Sequence, residues 1–258
     1  LDAPRVPAPG DEQHRRRGDG MTAVGETDLL RRFGFYKGAL YVRDLGLCVV
    51  SDVHIGLAET LYRQGLHFPL HEEETLLDRF EAVLDRFGPT VFVLDGDIFH
   101  AFDRVSRGVK ETLSTILAAL RTECEVVLVR GTHDAMLPAV AGGTVDRYDR
   151  GGYTVVHGDR EVEDHGTLVI GHDHPVIEID MARFSCFLYG QGVVHGKDLV
   201  VMPAANPLSP GVVINHAKGR DFLSPILRRV DAGGLQPVVE VDGEAVVLPP
   251  LAGIRRFA

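Results

Sequence analysis

Residues 91–100 read VFVLDGDIFH: four apolar residues in a row give way at once to Asp95-Gly96-Asp97. A short apolar run bounded this sharply is the pattern of a strand buried on both faces, as in the interior of a parallel sheet. The construction recurs. Apolar runs at 47–51, 126–129, 154–156 and 168–170 also end directly in polar or charged residues. Ligands of open α/β sheets bind in the crevice at the carboxyl ends of strands. Five polar clusters are therefore expected at one edge of one sheet: Ser51-Asp52-Val53-His54, Asp95-Gly96-Asp97-Ile98-Phe99-His100, Gly131-Thr132-His133-Asp134, His157-Gly158-Asp159 and Gly171-His172-Asp173-His174.

Working outward, strand-and-helix alternation begins at residue 39. Leu76, Leu77, Phe80, Val83, Leu84 and Phe87 recur at helical spacing, with Pro69 and Glu72 to Glu74 suited to the first turn and Gly88-Pro89 to the stop. Val109, Leu113, Ile116, Leu117 and Leu120 form a second helical stripe. Both stripes are core and carry no chemistry. After residue 180 the pattern becomes short strands, at 183–189, 198–202, 211–214 and 236–248, broken by Gly and Pro, with a helical candidate at 221–229. That describes a second sheet rather than a second domain.

The 258 residues, 45% of them hydrophobic, suffice for one α/β domain with a full core. Residues 1–28 are rich in Pro, Gly, Arg and acidic residues without an apolar period, and are expected to form a disordered tail ahead of a domain spanning 29–258. Within that tail Met21 is a candidate natural start, and the Arg15-Arg16-Arg17 run reads as a solvated segment rather than a nucleic-acid contact. No apolar run approaches a membrane span and no leader with a cleavage site stands near the start, so a soluble, cytoplasmic protein is expected. Cys48, Cys124 and Cys186 stand singly in or beside apolar runs, as buried thiols of a reducing compartment do. A net charge of −10 argues against a large basic duplex-binding surface: nucleic acid stays open as a partner but without a strong basic patch, and small anionic substrates remain open because bound metal supplies local positive charge.

Imidazole and carboxylate donors together, without thiolate, suit Mn²⁺, Fe or Zn²⁺ better than Ca²⁺. A lone D-x-H is commonly a turn beside a satisfied histidine; five such clusters at successive strand ends are not explained that way. The order D-x-H, G-D, G-x-H-D, H and G-H-x-H, carried by the residues quoted above, resembles the calcineurin-like metallophosphoesterase superfamily over roughly residues 39–215. The stretches Gly96 to His100, Gly171 to Pro175 and Met202-Pro203-Ala204-Ala205-Asn206-Pro207-Leu208 are similar to archaeal relatives of the double-strand-break-repair nucleases and to bacterial ligase-associated phosphoesterases.

The resemblance implies a four-layer α/β sandwich of two mixed sheets flanked by helices. It also implies two divalent ions, with Mn²⁺ the first choice. Asp52, His54 and His174 would hold the first, Asp97 would bridge both, and His157 and His172 would hold the second. His133 would lie near the substrate as proton donor to the leaving oxygen. Where the family carries an Asn ligand of the second metal, this chain has Thr132. Where the superfamily's protein phosphatases carry Asp and Arg after the G-D motif, this chain has His100 and Ala101. That form is similar to the phosphodiester-cleaving branch, although His100 also reads as a structural histidine bonded to a backbone carbonyl. Asp134 is a candidate to orient His133, and Arg130 and Asn206 are candidates for substrate binding. The expected activity is hydrolysis of phosphodiesters (nucleotide, cyclic or nucleic-acid-derived) by metal-activated hydroxide. A phosphomonoesterase and a non-catalytic scaffold of the same fold are the rival readings.

Overall fold

The computed structural model describes residues 26–66, 71–102 and 104–254. Its first sheet takes six strands in chain order: β1 (Phe33–Tyr36), β2 (Ala39–Val42), β3 (Leu47–Ser51), β4 (Val91–Asp95), β5 (Glu125–Val129) and β6 (Thr144–Val145). β1 to β3 pair antiparallel, and β3 to β6 run parallel. The second sheet comprises β7 (Tyr148–Arg150), β8 (Tyr153–Val155), β9 (Thr167–Ile170), β10 (Val176–Ile179), β11 (Ala182–Val194), β12 (Lys197–Val201), β13 (Gln236–Val241) and β14 (Glu244–Val247). Its order is β14-β13-β11-β12-β9-β8-β7, with β10 paired to β11, and it is mixed: β8, β9 and β12 are parallel neighbours. Helices α1 (Glu26–Arg32) and α2 (Leu57–Arg63) precede the two long ones, α3 (Glu72–Phe87) and α4 (Arg107–Glu123). The short helices α5 (Leu137–Ala141) and α6 (Leu251–Ile254) follow.

The unbroken apolar runs have a cause in the packing. Leu47 and Val49 of β3 and Val91 and Val93 of β4 meet Val169, Phe187, Tyr189 and Val200 of the second sheet. Their neighbours Cys48, Val50, Phe92 and Leu94 pack on the other face with Leu76 and Phe80 of α3 and Leu113 and Ile116 of α4. Both faces of the strand are dry, so neither tolerates a polar residue, and a one-residue slip would exchange the two sets of side chains. On the second sheet Leu168, Ile170, Leu188 and Leu199 point outward against Phe222, Leu227, Leu235 and Leu251. That outer layer is built from α6 and three 3₁₀ turns, Gly219–Asp221, Leu227–Arg229 and Ala232–Gly234.

The five expected strands and both long helices are present, but the strands do not share one sheet: β3, β4 and β5 belong to the first sheet and β8 and β9 to the second, so the five polar clusters meet where two sheet edges face each other. Gly88 closes α3 in the left-handed conformation with its N–H on the Leu84 carbonyl, and Ser106 caps α4 by accepting from the Val109 N–H. Other expectations need correction. Residues 211–214 form no strand; Val213 makes one isolated bridge to Val176, in a stretch where Pro207, Pro210 and Gly211 prevent a continuous ladder. Pro225 breaks the 221–229 candidate into 3₁₀ turns. The 236–248 stretch is a hairpin, turned by Asp242 (φ 52°) and Gly243 (φ 80°). α1 starts at Glu26, inside the segment read as tail; residues 1–25, with the arginine run and Met21, and Pro69 lie outside the described residues. Cys48 and Cys186 are buried and Cys124 half-buried, all as free thiols. Among the described residues no helix is long and apolar enough to cross a membrane.

Candidate metal centre

β3, β4 and β5 end side by side, and the chain leaves each one in a turn that the neighbouring loop holds. The Asp52 N–H bonds to the Asp95 and Gly96 carbonyls at 3.3 and 3.2 Å, and the His54 N–H bonds to the Asp97 carbonyl at 2.9 Å. Across the sandwich, the Ala205 N–H reaches the Ser51 carbonyl at 2.7 Å and the His172 N–H reaches Asp52 Oδ2 at 3.0 Å. Asp52, His54, Asp97, His172 and His174 all have positive φ, between 42° and 70°. L-residues with side chains disfavour that region, and such strain clusters at functional sites because the surrounding bonds enforce it. Gly131 serves close approach instead: a Cβ there would stand 2.2 Å from the Asp97 nitrogen and 2.3 Å from its Oδ1.

The side chains so aimed converge in three groups whose donor atoms lie within 4.8 Å of one another: Asp52 with His54 and His174, Asp97 with His157 and His172, and His54 with Asp97 and His133. Two donors about 2.1 Å from a single ion lie within about 4.2 Å of each other, so donors within 4.8 Å are close to the spacing that one ion requires; the group of His54, Asp97 and His133 shares a residue with each of the other two. The rings of His54 and His174 have centroids 5.1 Å apart. His174 Nε2 lies 2.9 Å from Asp52 Oδ1, His157 Nε2 3.3 Å from Asp97 Oδ2, and His172 Nδ1 3.0 Å from His157 Nε2. Asp52 Oδ1, His54 Nδ1, His157 Nδ1 and His174 Nε2 are buried without a hydrogen-bond partner of good geometry. Buried polar atoms left in this condition are costly. Lone pairs converging on common points, drawn from carboxylate and imidazole alone, are what a divalent cation would satisfy, and the donor set fits Mn²⁺, Fe or Zn²⁺.

The electrostatics agree with that fit. Burial alone would raise the Asp52 carboxyl, but His174, His157 and His54 outweigh it and hold the group below the usual carboxylate range. Burial would raise Asp97 too, but the hydrogen bond and charge of His157 outweigh it and lower the group. Burial would lower His157, yet Asp97, Asp52 and Asp95 push it up to about 10, and His174 reaches about 9 against its own burial because of Asp52. Here protons balance the carboxylates, and metal ions compete for those same positions. His54 is driven down to about 4 by burial, with His174 and His133 adding to the effect against Asp52 and Asp97, so its imidazole is neutral with a lone pair to offer.

The remaining sequence candidates divide. Thr132 sits against Asp97, its hydroxyl donating to the carboxylate oxygens at 3.1 and 3.2 Å. His133 lies beside them: its N–H bonds to Asp97 Oδ1 at 2.8 Å, its Nδ1 meets the His100 carbonyl, and its Nε2 is 3.6 Å from Asp97 Oδ2. The His100 ring stands among those of His54 and His133, with centroids 5.5 and 5.9 Å away, and its Nδ1 is buried with no hydrogen-bond partner. Asp134 does not reach the His133 ring. Its buried carboxylate accepts from the Ile98, Phe99 and Gly131 amides at 3.1, 3.0 and 2.9 Å, so it braces the two loops that carry Asp97 and His133. Arg130 is paired with Asp146 at 2.7 Å. Asn206 is buried, donating to Val53, His54 and Glu72 and accepting from the Leu208 N–H, which commits its NH₂ group within the protein.

Four residues at or next to the centre carry no assignment from sequence. Ser51 donates to Asp52 Oδ2 at 2.6 Å; its hydroxyl follows four apolar residues, a signal that was available. Asp173 ties the G-H-x-H loop to the Leu223 and Ser224 amides at 2.6 and 3.0 Å. Asp95 is fully buried with neither oxygen hydrogen-bonded, and burial drives its carboxyl well above the usual range. Phe102 is 59% exposed yet stacks on His133 with centroids 3.6 Å apart, a contact that only the loop's tertiary path creates.

Comparison with known proteins places this geometry. No curated protein matches the chain. Among solved structures, the crystal structure of the nuclease MPE from Pseudomonas putida is similar at a TM-score of 0.59, with 20% identity over 80% of this chain and 91% of that one, which is a likeness of fold. Residues 46–202, more than half of the chain and the span that contains all the converging donors, match the calcineurin-like phosphoesterase domain. The chain belongs to the calcineurin-like phosphoesterase family, metal-dependent hydrolases of phosphate esters.

Proposed function

We propose that the protein hydrolyses phosphodiester bonds with two divalent ions, Mn²⁺ by preference, held in a single domain. Asp52, His54 and His174 would hold one ion, His157 and His172 the other, with Asp97 shared. The observation that carries this reading is the position of Asp97, which groups with His54 on one side and with His157 and His172 on the other. When bound, the ions supply Lewis acidity that lowers the pKa of water and offsets the charge on the phosphate oxygens. The protein's own part is orientation and proton movement. Because His133 Nδ1 faces the His100 carbonyl, a pure acceptor, Nδ1 carries a proton, and Nε2 is the atom that would take up a second proton and pass it to a leaving oxygen, returning the ring to its neutral form. His100, in place of the Asp-Arg pair of protein phosphatases, presents a second imidazole instead of a guanidinium clamp for a phosphomonoester dianion.

The test is the ratio of kcat/KM on bis(p-nitrophenyl) phosphate and p-nitrophenyl phosphate with added Mn²⁺. We expect the diester to be preferred by about tenfold, or about 1.4 kcal/mol of transition-state discrimination. A preference for the monoester would make the protein a phosphomonoesterase.

Thr132→Asn probes the second ion. An amide oxygen reaches farther from the backbone and is a better ligand than a neutral hydroxyl, while the Asn NH₂ can replace the hydroxyl as donor to Asp97. The variant should need less Mn²⁺ for half-maximal activity and retain more metal after dialysis. An unchanged half-saturation would show that position 132 does not face the second ion.

A further inference from the structure

Apolar side chains are left exposed at one end of the first sheet. Among the described residues as far as 140, the large ones are Tyr62, Leu66, Phe102 and Met136. All four lie on the segments that leave the carboxyl ends of β3, β4 and β5, behind His54, His100 and His133. The long helices α3 and α4 on the same sheet expose none. Two of these segments stand side by side, because Glu59 of α2 accepts from the Ser106 hydroxyl at 2.9 Å. Exposed apolar surface gathered at one place marks where something apolar is received.

Phe102 is the member whose place is fixed by contact. Its ring stacks on the His133 imidazole with centroids 3.6 Å apart and planes inclined by 27°, yet the residue is 59% exposed. His133 is held by other bonds as well, through Nδ1 at the His100 carbonyl and through its N–H at Asp97 Oδ1. Phe102 therefore covers one side of the imidazole and offers the rest of its surface to whatever lies beside that ring. Distance says what that is. A proton donor stands about 3 Å from the leaving oxygen it serves. A side chain packed on the donor is then within van der Waals reach of the first carbon atoms attached to that oxygen. The phosphoryl group needs the polar centre, whereas the carbon body of the leaving group gains from an apolar face, most of all when it is itself a flat ring.

We infer that Phe102 forms an apolar leaving-group subsite, so that the protein favours phosphoesters whose leaving oxygen is borne on an aromatic ring or a similarly apolar carbon body over those with a small or polar leaving group. The inference rests on the reading of His133 as proton donor for its orientation. Its test compares kcat/KM on methyl phenyl phosphate and methyl 2-naphthyl phosphate with added Mn²⁺. Phenol and 2-naphthol are of nearly equal acidity, so the two esters differ in apolar ring area and not in their need for a proton. The wild type should prefer the naphthyl ester about fivefold, mainly through KM, and Phe102→Ala should bring the ratio to about one. Phe102→Tyr keeps the ring and should keep the preference. Met181→Ser, at the exposed turn between β10 and β11, should keep it as well. Phe102 is exposed, so its replacement leaves the core intact. Equal kcat/KM for the two esters in the wild type, or a naphthyl preference that survives Phe102→Ala, would overturn the inference. Phenyl and 2-naphthyl phosphate carry the same comparison should the protein hydrolyse only monoesters, so failure of the phosphodiesterase reading leaves the test intact. An equal loss in His133→Ala on phenyl and p-nitrophenyl esters would remove the proton donor, while a naphthyl preference that vanishes with the Phe102 ring would still establish the subsite.

Discussion

Asp97→Asn is expected to abolish hydrolysis and to leave the protein with little bound metal. The change removes the one carboxylate that lies among both donor groups, next to His54 and His133 on one side and His157 and His172 on the other. It also sets an NH₂ among donors, because the Thr132 hydroxyl and the His133 N–H already point at the Asp97 oxygens. The backbone should survive, since asparagine is among the few side-chain-bearing residues that accept a φ such as the 42° found there. Elemental analysis after dialysis against Mn²⁺, with a thermal melt as the control for folding, checks the outcome. Wild-type metal content in a folded, inactive variant would remove Asp97 from the bridging position.

His133→Ala should keep both metals and slow turnover by about a hundredfold or more, the usual scale for loss of a positioned acid. The ring is set from two directions, by the His100 carbonyl at Nδ1 and by the stacked Phe102, so a single tautomer and plane are maintained. The loss should be large for a nucleoside or alkyl leaving group and small for p-nitrophenolate, which departs with little protonation. An equal loss for both would argue against proton donation. His133 also groups with His54 and Asp97 within ligand distance, and a variant that loses metal along with activity would make it a ligand rather than an acid.

Much of this was legible in the linear pattern, for local reasons. A strand buried on both faces admits no polar residue, so its apolar run and its abrupt end mark the strand and its edge; 91–100 and its counterparts therefore located the sheet ends and the Asp and His residues there. The parallel strands of each sheet align their own ends, and the packing of the two sheets face to face then brings the two sets together, as the His54 and His174 rings 5.1 Å apart attest. Partner choice was not legible. Asp134, Asp173 and Asn206 carry side chains that suit catalysis, yet their hydrogen bonds go to backbone amides, backbone carbonyls and Glu72. Arg130 sits next to the His133 loop in sequence but is held by Asp146. A groove lined by Lys37, Arg79, Arg183 and Glu240 shows the converse. Lys37, Arg79 and Arg183 are more than 40 residues apart along an acidic chain, too far for any local pattern, and only the docking of β11 beside α3 and the β1–β2 turn places them together. Alternation along a strand is enforced by each residue's own backbone, whereas the partner of a polar side chain is set by which distant segment the packed core brings within about 3 Å of it.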